Sequence, residues 1–143
     1  MTVKKILSKD DIRLKINMKD ILGRNLPNDS DVIDAIGQKA IDIIVARTQS
    51  GKSVSGRKFT KYSKNYDKKG TVDLTLSGDM LGLMDITSST RNTFSIGWGD
   101  QLENNKAFNH DTGDTLPKRE FLGLQKQELA ELRRFAEGLI DDE

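Results

Sequence analysis

Cysteine is absent from this chain of 143 residues, so a disulfide framework, a thiolate metal site and a cysteine nucleophile are excluded. Large core fillers are scarce too: aromatic residues make up 6% and hydrophobic residues 35% of the sequence, against 31% charged and a mean hydropathy of −0.58. That composition predicts a soluble chain with a lean core, some of whose stability comes from partners. No apolar run approaches the roughly 18 residues of a membrane span, and the opening MTVKKILSKDDIRLK has no signal-peptide core. Synthesis in the cytoplasm and no membrane partner are expected. At this length one domain with a single core is expected.

The formal net charge of +1 hides a segregation of charge along the chain. Between Arg47 and Lys69 there are eight bases against the single acid Asp67, whereas from Asp100 onward eleven acids face six bases. Such asymmetry bears on partners more than on fold.

Periodicity places the elements. Ile12, Leu14, Ile16 and Met18 alternate with Arg13, Lys15 and Asn17, which predicts a half-buried strand. Capping residues after Pro27 start a helix near Asp29, and Val32, Ile33, Ile36, Ala40, Ile43 and Ile44 give it one buried stripe. Asp29, Asp31 and Asp34 suit the positive end of its dipole, and it ends by Gly51. Residues 51–73 show no period and are expected to form a long, flexible basic loop, either functional or ordered on binding. LTLSGDMLGLM reads as a short helix capped near Ser77, with Leu81 and Met84 inward. Ile86 and Ser88, a polar turn at Thr90 to Asn92, and alternating Phe94, Ile96 and Trp98 predict a β-hairpin. QLENNKAFNH suggests a further short helix. Residues 123–141 form a C-terminal helix through Leu129, Leu132, Phe135, Ala136, Leu139 and Ile140.

Motifs that could carry chemistry are weak. ARTQSGKS, Ala46 to Ser53, satisfies a relaxed phosphate-loop pattern, but it follows a helix C-terminus instead of preceding a helix N-terminus. Gly51 is better read as a helix exit. His110 with Asp111 and Asp114 supplies metal-ligand types without a spacing that fixes a geometry, and a turn-capping role is expected instead. Ser77 lacks the flanking glycine of a nucleophile elbow. No catalytic residue, cofactor or metal is therefore expected. The basic stretch 47–69, with Tyr62 and Tyr66 available for stacking, leaves nucleic-acid binding open, although no recognition helix accompanies it and the pI is only about 7.9.

Five segments in order, RTQSGKSVSGRKFTKYSKNY, LTLSGDML, FSIGWG, AFNHDTG and PKREFLGL, resemble the phage virion morphogenesis family, the tail-completion and head–tail joining proteins of tailed bacteriophages. The likeness spans about Val32 to Leu124. Its matching positions include Phe59, Tyr62 and Ser63; Leu74 through Leu81; Ile96 and Gly97; Ala107, His110 and Gly113; and Pro117, Arg119, Phe121, Leu122 and Gly123. Asp111 and Glu120 depart from it, standing where glutamine and proline are common. The resemblance implies a small single-domain α+β fold, with a long helix packed on an antiparallel sheet. It implies a structural, non-enzymatic role in the virion, as a tail terminator or neck ring at the head–tail interface. Copies of the chain would form a ring, six-fold in this family, that docks on the tail tube protein and on neck or connector proteins. On that reading Arg57, Lys58, Lys61 and Lys64 contact neighbouring subunits, or DNA in the channel. Pro117 stops the preceding turn, and Phe121 with Leu122 anchors the last helix. Lys118, Arg119 and Glu120 are left outside, so that His110, Pro117, Arg119, Phe121 and Leu122 make a fold-locking corner or a docking surface.

Overall fold

The alternation over residues 12–18 becomes a strand whose inward side chains, Ile12, Leu14 and Ile16, are wholly buried. In the computed structural model, which describes residues 2–59, 80–113 and 118–141, this strand is β2 (Asp11–Asn17), preceded by β1 (Val3–Ser8) and followed by α1 (Met18–Leu22) and α2 (Ser30–Gln49). The hairpin β3 (Asp85–Ser89) and β4 (Thr93–Gly97), then α3 (Gln101–Thr112) and α4 (Lys126–Asp141), complete the domain. The four strands form an antiparallel sheet in the order β1-β2-β4-β3. Leu14 pairs with Ile96 and Ile16 with Phe94, so the two central strands line one face with aliphatic and aromatic side chains. The architecture is α+β.

α2 lies across that face. Asp29 caps it, its carboxylate accepting the Asp31 N–H at 2.9 Å, and its apolar stripe from Val32 to Ile44 is buried. Gly37 sets how close it comes: a Cβ there would stand 2.5 Å from Cδ1 of Ile86, so a larger residue would have to displace the Ile86 side chain or lift the helix off β3. The helix stops where its apolar period stops, and Gly51 beyond it takes the left-handed φ of 85°, as a helix exit requires. α4 packs on α2 through buried Leu132 and Ala136, with Lys39 of α2 paired to Glu131 at 3.3 Å.

Four expectations change. β1 was not foreseen. Of the loop 51–73, residues 51–59 are ordered: the Ser53 N–H donates to the Arg57 carbonyl at 2.8 Å, Phe59 N–H to Gly51 at 2.9 Å and Val54 N–H to Glu120 at 2.9 Å, and the Phe59 ring is buried. Residues 60–73 lie outside the described ones. So does most of the segment around Ser77, but Met80–Leu83 form a turn, not a helix, with Leu81 and Met84 inward as expected. The last helix begins at Lys126 instead of Gly123, because residues 121–125 are held in another conformation by side chains from α2 and α3.

Candidate functional site

α3 is an unusual helix, because the side it turns inward is polar. Its buried positions are Glu103, Asn104, Ala107, His110 and Asp111; Glu103 pairs with Lys106 of the same helix, and the Asn104 and Asp111 side chains meet the backbones of neighbouring segments. Asn104 accepts the Ile12 N–H at 3.0 Å and donates to the Lys9 carbonyl at 2.8 Å. At the second-last position of the helix, Asp111 accepts the amides of Phe121 and Leu122 through one oxygen, at 3.1 and 3.0 Å. Its other oxygen meets the Lys5 ammonium of β1 at 2.6 Å. The His110 carbonyl accepts the Arg119 N–H at 2.6 Å.

The same segment is gripped from the other side by α2. Arg47 sits in the last turn of that helix at 8% exposure, and its guanidinium donates to the carbonyls of Phe121 and Gly123 and to the Glu128 carboxylate of α4. Glu128 also accepts the Gln125 N–H at 2.8 Å, which caps α4 from within. A planar fork of donors suits this task, because its spread N–H groups reach two carbonyls and a carboxylate at once in a fixed geometry. Phe121 and Leu122 are fully buried, and the Phe121 ring meets Trp98 edge-on at 6.0 Å. Gly123 passes so close to Val54 that a Cβ would lie 3.0 Å from its methyl, which ties the turn 51–59 to the corner.

Electrostatics follow burial. Burial, helped by the nearby Arg119 guanidinium, lowers the His110 pKa to about 4, so the imidazole is neutral at physiological pH. Burial pushes the Asp111 carboxyl up, against the opposing pull of Lys5 and the Leu122 amide. Desolvation lowers the Arg47 guanidinium, with Glu128 pulling it back. These groups are almost closed to solvent: Asp111 is 1% and His110 5% exposed. The Asp111 and Arg47 side chains spend their polar groups on the backbone of residues 121–123 and on Lys5 and Glu128. Among the described residues no group of three or more His, Asp or Glu could hold a metal ion.

Of the residues singled out from sequence, His110, Arg119, Phe121 and Leu122 meet at this corner, while Pro117, Lys61 and Lys64 lie outside the described residues. Arg119, expected outside, is buried at 3% exposure: its N–H is tied to α3, and the short link to buried Phe121 draws it in. Arg57 and Lys58 are exposed on the ordered turn 51–59. Arg47, counted from sequence among the bases of the loop, belongs to the core. Its signal was its position, since Ile36, Ala40, Ile43 and Arg47 fall on one buried helix side, where a charge demands a buried partner. Asp111 had no such signal. Comparison with known proteins finds no family model that matches this chain and no similar curated protein or solved structure.

Proposed function

We propose that this chain is a structural virion protein of a tailed bacteriophage, acting in tail completion or head–tail joining by assembling copies of itself into a ring. One observation carries the reading. Three of the segments that resemble the family, the helix end at Arg47, the stretch Ala107 to Gly113 and the stretch Arg119 to Gly123, are distant in sequence yet converge on one buried corner. Their polar groups are spent on each other's backbones. A signature devoted to locking a fold, with its polar groups shut away from solvent, suits a scaffold protein and supports a role by docking over one by catalysis. The exposed Arg57 and Lys58, on a turn pinned to that corner, offer contacts for neighbouring subunits or for DNA in the channel.

Electron microscopy of intact particles, with this chain labelled, tests the reading. The expected result is density at the head–tail interface or tail end, in a ring of countable copies. Particles lacking the chain altogether, or a salt-sensitive gel shift of DNA by protein that never enters particles, would overturn it in favour of a nucleic-acid-binding accessory protein.

A further inference from the structure

Among the described residues, helices cover one face of the sheet and leave the other bare over β1 and β2, while Ser95 of β4 is buried. On β1 and β2 the alternation turns Lys4, Ile6, Arg13 and Lys15 to the bare side, because Lys5 points inward to Asp111 and Leu14 into the core. The register sets Lys4 directly opposite Lys15, and Ile6 opposite Arg13. Like charges directly across a ladder destabilise it. Both lysines are exposed, with no ion-pair partner among the described residues. Asp11, on the same side, is occupied by Arg13 at 3.3 Å. The face is thus a half-buried isoleucine flanked by two lysines with no counter-charge among the described residues and by the Arg13–Asp11 pair.

The complementary surface is a flank of α2. Asp31, Asp34, Gln38, Asp42 and Gln49 recur at helical spacing, all exposed, with no base among them. The helix dipole accounts for acids in the first turn but offers nothing at Asp42, about three turns further on. Beside this stripe runs a groove of about 550 Å³ between α2 and residues 81–85, with Ile41, Val45, Leu81 and Met84 among its apolar lining. Leu83, next to it in sequence, is left 46% exposed.

We propose that the bare sheet face of one copy docks on the α2 groove of a second copy, Ile6 entering between Val45 and Leu81 while Lys4 and Lys15 meet Asp34 and Asp42. The two surfaces are different, so each copy offers one of each and the contact repeats head to tail, closing into a ring when the rotation allows. Single exposed ion pairs contribute little; here charge selects and orients the partner and the apolar contact holds it. The inference deepens the ring reading above and rests on it.

Charge exchange tests it in the purified full chain. Lys4→Glu/Lys15→Glu and Asp34→Lys/Asp42→Lys are each expected to remain folded by circular dichroism and to self-associate at least about tenfold more weakly than wild type by light scattering, a loss of ~1.4 kcal/mol or more. An equimolar mixture of the two restores assembly, because each then carries the surface the other needs. A wild type that stays monomeric at every concentration, variants that assemble as wild type does, or a mixture that stays dissociated would overturn the proposal. So would Lys4 and Lys15 proving to bind duplex DNA in a monomer. This readout is separate from location in particles: protein found in a virion ring whose assembly ignores the exchange refutes the interface alone.

Discussion

Replacing Arg47 by methionine keeps much of the aliphatic stem and removes only the fork. The carbonyls of Phe121 and Gly123 and the Glu128 carboxylate then lose their donor, and the Glu128 side chain, 10% exposed, has little access to water. Breaking a buried ion pair from one side costs about 3–5 kcal/mol, and each unsatisfied buried acceptor about 1–3 kcal/mol. The losses overlap at one site and do not sum, so about 3–5 kcal/mol is the expected total. With 143 residues and an unfolding entropy near 2.1 cal/mol/K per residue, the midpoint entropy is about 0.3 kcal/mol/K, and the melting temperature should fall by about 10–17 °C. The double variant Arg47→Met/Glu128→Met removes both charges and should recover part of the loss, with a coupling of about 1–3 kcal/mol in the cycle. Thermal and urea unfolding followed by circular dichroism measure both. An Arg47→Met protein within about 0.5 kcal/mol of wild type, or strict additivity in the cycle, would refute the clamp.

Asp111→Ala strands two buried amides and should cost about 2–4 kcal/mol, whereas Asp111→Asn keeps an acceptor for Phe121 and Leu122 and should cost about 1 kcal/mol; equal losses in urea unfolding would show that the amide contacts do not matter. His110 gives stability a pH dependence. Its folded pKa is lowered to about 4 from 6.5, so below pH 6.5 the unfolded chain takes up the proton first, and stability present above that point is lost as pH falls toward 4. Asp111, raised by burial, acts in the opposite sense at the acid end, where the folded state takes the proton first. His110→Gln should flatten the urea midpoint between pH 6.5 and 4, and an unchanged slope would exclude the imidazole as its source.

How much was legible in the sequence depended on whether an element speaks through apolar period. β2, α2 and β4 do: their inward positions are apolar at spacings of two or of three and four, as expected. β3, the other strand of the expected hairpin, speaks less clearly, because a register shift between Ile86 and Ser88 sets Ser88 opposite Ser95 instead of on the Ile86 face. β1 does not. Its inward side chain Lys5 is charged because it serves Asp111, and its outward Ile6 is apolar, so VKKILS shows no alternation although it is a strand. α3 was only a suggestion for the same reason, since its inward residues are mostly polar and two of them, Asn104 and Asp111, find their partners in distant segments.

The corner at Phe121 therefore lies where pattern reading fails and residue chemistry takes over. The chain from 118 to 125 is neither helix nor strand, so its amides and carbonyls have no ladder to satisfy them, and buried backbone left unpaired is costly. A helix with a polar inner side and an arginine at the end of another helix take the place of that ladder. The resemblance pointed to this segment, Arg119 included, but the Arg119 side chain was expected on the outside, and Asp111 counted as a departure. The geometry makes Asp111 the hinge pin: a shorter carboxylate that reaches two successive amides and the Lys5 ammonium together. Lys5 is thereby committed inward, and the alternation of β1 then turns its neighbours Lys4 and Ile6 outward. The pairing that closes the core thus also determines which charges the bare sheet face presents.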